Sequence, residues 1–171
     1  RTANSEDVLR RLRNYDAEIG VVGNISSTRD LVEIPLGKAP IVAIMAHNFL
    51  PNDGQALDLE TLSLMPLVFR ETGSSTQRCL EASAEKHAIK LSPVITVEGR
   101  QALCEVVASG AGIGFVSLAE LGNFSDICAV PIAGETLEMK EKLVFLSTRR
   151  DLPMIRAFVR GLKVDNLQPV S

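Results

Sequence analysis

From residue 66 to residue 117 the chain alternates short apolar runs with amphipathic stretches, in the order strand, helix, strand, helix, strand. The run Leu67-Val68-Phe69 leads through a polar turn to Cys79, Leu80, Ser83, Ala84 and His87, which share one helical face. Val94 to Val97 leads to a second such face, carrying Ala102, Leu103, Val106 and Val107, and the third run begins at Ile113. Helices of this length between short strands imply a parallel sheet covered on both faces. This pattern predicts strands over 66–70, 94–97 and 113–116, and helices over 76–88 and 100–109. Open sheets of this kind bind ligands at the carboxyl ends of their strands, so function is sought first in the turns that follow them.

The first of these turns is Glu71-Thr72-Gly73-Ser74-Ser75-Thr76. Ser74 stands at an N-cap position, and Gln77 three residues later completes the spacing of a capping box. The first turn of a helix has unpaired N–H groups and a partial positive charge, so hydroxyls gathered around it suit a small anion. Gly73, Ser74, Ser75 and Thr76 are therefore candidate ligand contacts. The second turn is Glu98-Gly99-Arg100, where Arg100 can meet an anion with two parallel N–H groups. Ser117 follows the third strand at the same edge. Near the start of the chain, Thr2-Ala3-Asn4-Ser5 is another polar helix start, which adds Asn4 and Ser5 to the candidates.

Outside this block, Ser5 is expected to cap a helix with Val8, Leu9, Leu12 and Tyr15 on one face. Residues 16–23 read as a strand, and 31–36 as another closed by Gly37. The run 41–46 reads as a strand buried on both faces. Pro51-Asn52-Asp53-Gly54 is turn chemistry, residues 57–62 a single helical turn, and 118–121 a short helix. Strands are predicted over 127–132 and 143–147, with a polar connection between them. Met154, Ile155, Phe158, Val159 and Leu162 mark a final helix, followed by a tail. The strands at 41–46 and 143–148 flank the middle block, so the chain is expected to enter and leave it side by side. This predicts two lobes joined by two crossing strands around a hinged cleft. Lobe I is residues 1–45 plus 146–171, and lobe II is residues 46–145.

Several chemistries lack the residues they need. The net charge of −3 gives no basic face for nucleic acid, and no apolar run reaches the ~18 residues of a membrane span. His47 and His87 are read as structural, the first in the hinge segment and the second at a helix end. Cys79, Cys104 and Cys128 are far apart and odd in number, which fits free thiols in a reducing cytoplasm. No Cys–His pair, nucleophile elbow or metal-ligand spacing is apparent, so no catalytic residue, metal or cofactor is expected. Gly110-Ala111-Gly112-Ile113-Gly114 looks like a nucleotide loop, but it precedes a strand, whereas such loops follow one. Its plain reading is a helix C′ glycine at Gly110 and a backbone that passes close to a neighbour.

The order of elements resembles the effector-binding domain of LysR-type bacterial transcriptional regulators. The resemblance rests on Asn4-Ser5 with Leu9, Leu12 and Asp16-Ala17-Glu18-Ile19, on the 70–78 turn, and on Glu105 through Ser117, which includes Gly112-Ile113-Gly114-Phe115-Val116-Ser117. It extends to Arg149-Arg150 and Ile155-Arg156-Ala157-Phe158. The likeness implies an α/β, two-lobed fold like type 2 periplasmic binding proteins, N-terminally truncated, with Phe115 added to the ligand set. It also implies a small anionic effector, DNA contact only through an absent N-terminal domain, homodimers or homotetramers, and a cytoplasmic location. The segments around Glu98 and Arg149 are similar to regulators of aminoethylphosphonate catabolism. A transporter's solute-binding protein is the alternative on the same fold.

Overall fold

The computed structural model describes residues 3–49, 56–122, 124–134 and 136–162. The chain divides into two compact units, one of Ala3–Lys38 with the chain from Lys140 on, the other Ala39–Met139. Thr2, the turn 51–54 and the tail lie outside the described residues.

The first unit holds α1 (Ser5–Arg13), β1 (Gly20–Gly23), the first half of β2 (Leu31–Ala46), most of β7 (Glu138–Leu146) and α5 (Pro153–Gly161). β1 pairs antiparallel with β7, and β7 lies beside β2. Alternate residues of β7 point to opposite faces: Val144 and Leu146 pack with Leu12 of α1, while Leu143 and Phe145 pack with Ile155 of α5. The cap of α1 is Asn4, whose Oδ1 accepts from Asp7 N at 2.9 Å, rather than Ser5. In α5 only Ile155 is fully buried, and Met154 and Phe158 of the expected stripe lie exposed.

The second unit adds α2 (Leu59–Ser63), β3 (Leu67–Arg70), α3 (Ser75–Lys86), β4 (Pro93–Val97), α4 (Arg100–Ala108), β5 (Gly114–Ser117) and β6 (Ile127–Pro131). β4 runs parallel to β3, and a parallel bridge from Leu67 to Ile113 joins β3 to the start of β5. β5 and β6 both pair antiparallel with β2. The sheet is therefore mixed where an all-parallel one is implied by the alternation alone, because residues 41–46 of β2 run antiparallel to β5 and β6. Ile41, Ala43 and Met45 of β2 pack on one face with α2 and α3, and Val42 and Ile44 pack on the other with α4. That is the two-sided burial expected of an unbroken apolar run.

β2 also corrects two expectations at once. It is a single strand of 16 residues that continues through Pro35, Gly37 and Pro40, where two strands were expected. Gly37 has open space around its α-carbon and the middle of the strand is exposed, so nothing there forces a break.

The glycines at 110–114 act as read. Gly110 has φ +79 and follows the α4 C-cap Ser109, with its N–H on Val107 O at 2.9 Å. A Cβ on Gly112 would lie 2.5 Å from Pro66 O, and one on Gly114 would lie 2.8 Å from a methyl of Leu103. At Gly112 the chain passes so close to the Pro66 backbone that only hydrogen fits, whereas at Gly114 it is the Leu103 side chain that would have to shift.

Candidate ligand-binding edge

β3, β4 and β5 run in one direction, so the turns after them share one sheet edge. α3 and α4 both start there. Gly73 with φ +93 and Gly99 with φ +83 reverse the chain just before the two helices. Ser74 caps α3, its Oγ accepting from Gln77 N at 3.4 Å. The second half of the expected capping box is absent. Gln77 turns away, its Oε1 accepting from Arg70 N at 3.4 Å and its Nε2 donating to Glu81 Oε1 at 3.2 Å. Gln77 is thereby a strut between β3 and α3. Ser74→Ala is expected to destabilise the chain by about 1 kcal/mol, read as a lower urea midpoint at unchanged slope.

The hydroxyls at this edge are buried: Ser74, Ser75, Thr76 and Ser117 are each below a tenth exposed. The Ser117 hydroxyl is completely buried, and its Oγ has no hydrogen-bond partner among the described residues. A buried hydroxyl is normally hydrogen-bonded, so this one leaves a donor and an acceptor to be filled. α4 starts without a side-chain cap, because its N-cap is Gly99. Its first N–H groups therefore have no side-chain oxygen supplied by the cap residue. Arg100 is partly buried at this helix start, and no carboxylate pairs with it among the described residues.

Two residues here escape a sequence reading. Arg78 Nη2 donates to Ser75 Oγ at 3.1 Å, bringing an exposed guanidinium to the turn. The i, i+3 spacing from Ser75 to Arg78 is the signal that would have found it. Glu71 ties the two turns together: its Oε2 accepts from Gly99 N at 3.0 Å and from Arg70 Nε at 2.8 Å, and its Oε1 accepts from Arg70 Nη2 at 2.8 Å. Burial works to raise the Glu71 pKa, but the Arg70 guanidinium and the Gly99 N–H outweigh it and hold the carboxyl at about 2.

The remaining candidates fall elsewhere. Phe115 lies within the core cluster of Ile41, Met45 and Leu80, so it packs the sheet, and its apolar ring has no hydrogen bond to give an anion. Asn4 and Ser5 belong to the first unit, where Asn4 caps α1 and Ser5 Oγ accepts from Gly23 N at 3.0 Å. His87, expected on an inner face, is exposed at the α3 C-cap, where Ala88 takes φ +55 and ends the helix. A surface hollow lined by Glu81, Glu85, Lys90 and Leu91 lies by the opposite end of α3 and has no converging hydroxyls. Among the described residues, no group of acidic, cysteine and histidine side chains is placed to hold a metal.

The Ala39–Met139 unit thus combines a mixed sheet with two helix starts at one carboxyl edge. The chain belongs to the LysR substrate binding domain family, whose description matches residues 1–164. It is 26% identical over 153 residues to the HTH-type transcriptional regulator CfxR of Cupriavidus necator, covering 88% of this chain and 48% of that protein. It spans about half the length of the curated relatives it matches. In fold it is similar to the regulatory domain of CcmR from Synechocystis PCC6803 in complex with 2-PG, with a TM-score of 0.80, 19% identity, and 92% of this chain and 77% of that one covered. It is also similar to the effector binding domain of QuiR in complex with shikimate, with a TM-score of 0.81, 17% identity, and coverage of 92% and 76%. The two-lobed, periplasmic-binding-protein-like α/β expectation agrees with these neighbours.

Proposed function

We propose that this chain is the ligand-sensing domain of a bacterial LysR-type transcriptional regulator, and that its effector is a small anion held at the carboxyl edge of the Ala39–Met139 unit. The observation that carries the reading is the meeting of two glycine-led helix starts at one edge, with the partnerless Ser117 hydroxyl beside them. Helix N-termini favour negative charge, and Arg78 and Arg100 add full positive charges near the same edge. Ser75, Thr76 and Ser117 would supply neutral hydrogen bonds that fix orientation. Gly73, Ser74 and Glu71 would hold the turns in place. A phosphonate, a phosphate or a carboxylate fits this set, and aminoethylphosphonate is the first compound to test.

The family match and the regulator relatives favour this reading over a transporter's solute-binding protein. In it the domain performs no chemistry, works in the cytoplasm, and acts on DNA through a separate DNA-binding domain and through pairing with copies of itself. Calorimetric titration with aminoethylphosphonate, inorganic phosphate and acetate tests it. Saturable binding of at least one anion is expected. Ser75→Ala and Arg100→Ala should each weaken it about tenfold or more, the cost of one charge-assisted contact. Equal affinity in the parent and both variants would remove the site from this edge.

A further inference from the structure

His47 and Cys128 are 81 positions apart in sequence, and the effector reading uses neither. The β2–β6 register places Met45 opposite Cys128 and Ala46 opposite Ile127. His47, the first residue beyond β2, is thereby brought against the start of β6. Its Nδ1 lies 2.9 Å from Cys128 Sγ, and its Nε2 lies 3.1 Å from the Ser125 carbonyl oxygen. A carbonyl only accepts, so Nε2 carries the hydrogen. In the neutral ring Nδ1 is then the acceptor, and it faces the thiol. Once the thiol proton moves to Nδ1, both ring nitrogens are donors and both have partners. The carbonyl orients the base and the base activates the nucleophile, which is the arrangement that makes a cysteine reactive.

Cys128 is half-buried and His47 exposed. Cys104, by contrast, is fully buried, and burial pushes its thiol pKa up. From Ala39 to Phe49 β2 and its following turn bring no charged or titratable group except His47. Charged side chains on neighbouring elements are Asp126 in the preceding turn, Asp58 and Glu60 at the start of α2, and Arg100 and Glu105 on α4. α4 packs with Ile127, on the face of β6 opposite to Cys128.

We propose that Cys128 is a modification site of this chain, a thiol deprotonated by His47 and open to exchange with low-molecular-weight disulfides. In that step the Cys128 thiolate attacks one sulfur of the disulfide. A new S–S bond forms to Cys128 as the reagent's own S–S bond breaks. The departing half leaves as a thiolate and takes the proton held on the His47 ring. Cys128 ends oxidised in a mixed disulfide, and the released half ends reduced as a free thiol. The added group sits where β2 passes into the turn His47–Phe49, and it ends the contact between the ring and the thiol.

The test is reaction of the whole 171-residue chain with the aromatic disulfide dithiobis(nitrobenzoate), followed across pH by release of the coloured thiol. One thiol should react fast near neutral pH. Mass mapping should place the label on Cys128, and Cys128→Ser should remove the fast phase alone. His47→Gln should slow the reaction at least about tenfold near pH 6.5. A fast phase that survives Cys128→Ser overturns the proposal. So does a parent chain in which Cys128 is labelled no faster than Cys79 near pH 6.5, which needs no His47 variant to be read.

Discussion

Gly112→Ala is expected to destabilise the chain by about 3 kcal/mol, the upper range for forcing extra volume into a packed interior. The new Cβ would stand 2.5 Å from Pro66 O. That oxygen is backbone, and it accepts from Ile113 N at 2.8 Å, one of the two bonds that join the start of β5 to β3. The other is Val68 N to Ile113 O, also 2.8 Å. Neither strand can give without parting from the other, so no side-chain rotation relieves the clash. Urea unfolding should show a lower midpoint at unchanged slope. Gly37→Ala is the control: nothing lies within 4 Å of its Cβ, and its stability should stay near that of the parent. Equal midpoints for the two variants would mean that β3 and β5 do not approach as described.

Glu71→Gln is expected to cost a similar amount, on the order of 3 kcal/mol at neutral pH, from the distance between an ordinary glutamate and a carboxyl held at about 2. The folded state binds the Glu71 proton more weakly than the unfolded state does. Its contribution is therefore complete above the ordinary glutamate pKa of 4.5 and is lost as pH falls from there through about 2. The parent chain should lose stability over that window, and the variant should lose less of it. Glutamine keeps one acceptor for Gly99 N but leaves Arg70 without its ion pair, and both Arg70 and Glu71 are largely buried. Because Glu71 joins the turn before α3 to the turn before α4, ligand affinity should fall together with stability. Parallel stability curves for parent and variant between pH 2 and 5 would contradict this assignment.

Much of the second unit is legible in the sequence because each signal there is local. Apolar runs mark β3, β4 and β5, Ser74 marks a cap, and Gly110 marks a helix end. The order of helix and strand was enough to reject a nucleotide loop at residues 110–114. What stayed hidden depends on partners distant in sequence. β2 continues through proline and glycine because β7, β5 and β6 supply its neighbours, and a window of ten residues contains none of them. Glu71 reads as an ordinary turn acid until Gly99, 28 positions on, donates to it. Phe115 sits in a segment that suggested a ligand contact, yet strand alternation turns it into the core. The His47–Cys128 pair exists only through the β2–β6 register.

The most direct measurement is amide NMR of the chain titrated with aminoethylphosphonate and inorganic phosphate. Binding at the proposed edge predicts saturable shifts centred on Gly73, Ser75, Thr76, Arg78, Gly99, Arg100 and Ser117, with the ends of β3, β4 and β5 responding together. Saturable shifts centred elsewhere, with these amides unmoved, would contradict the site.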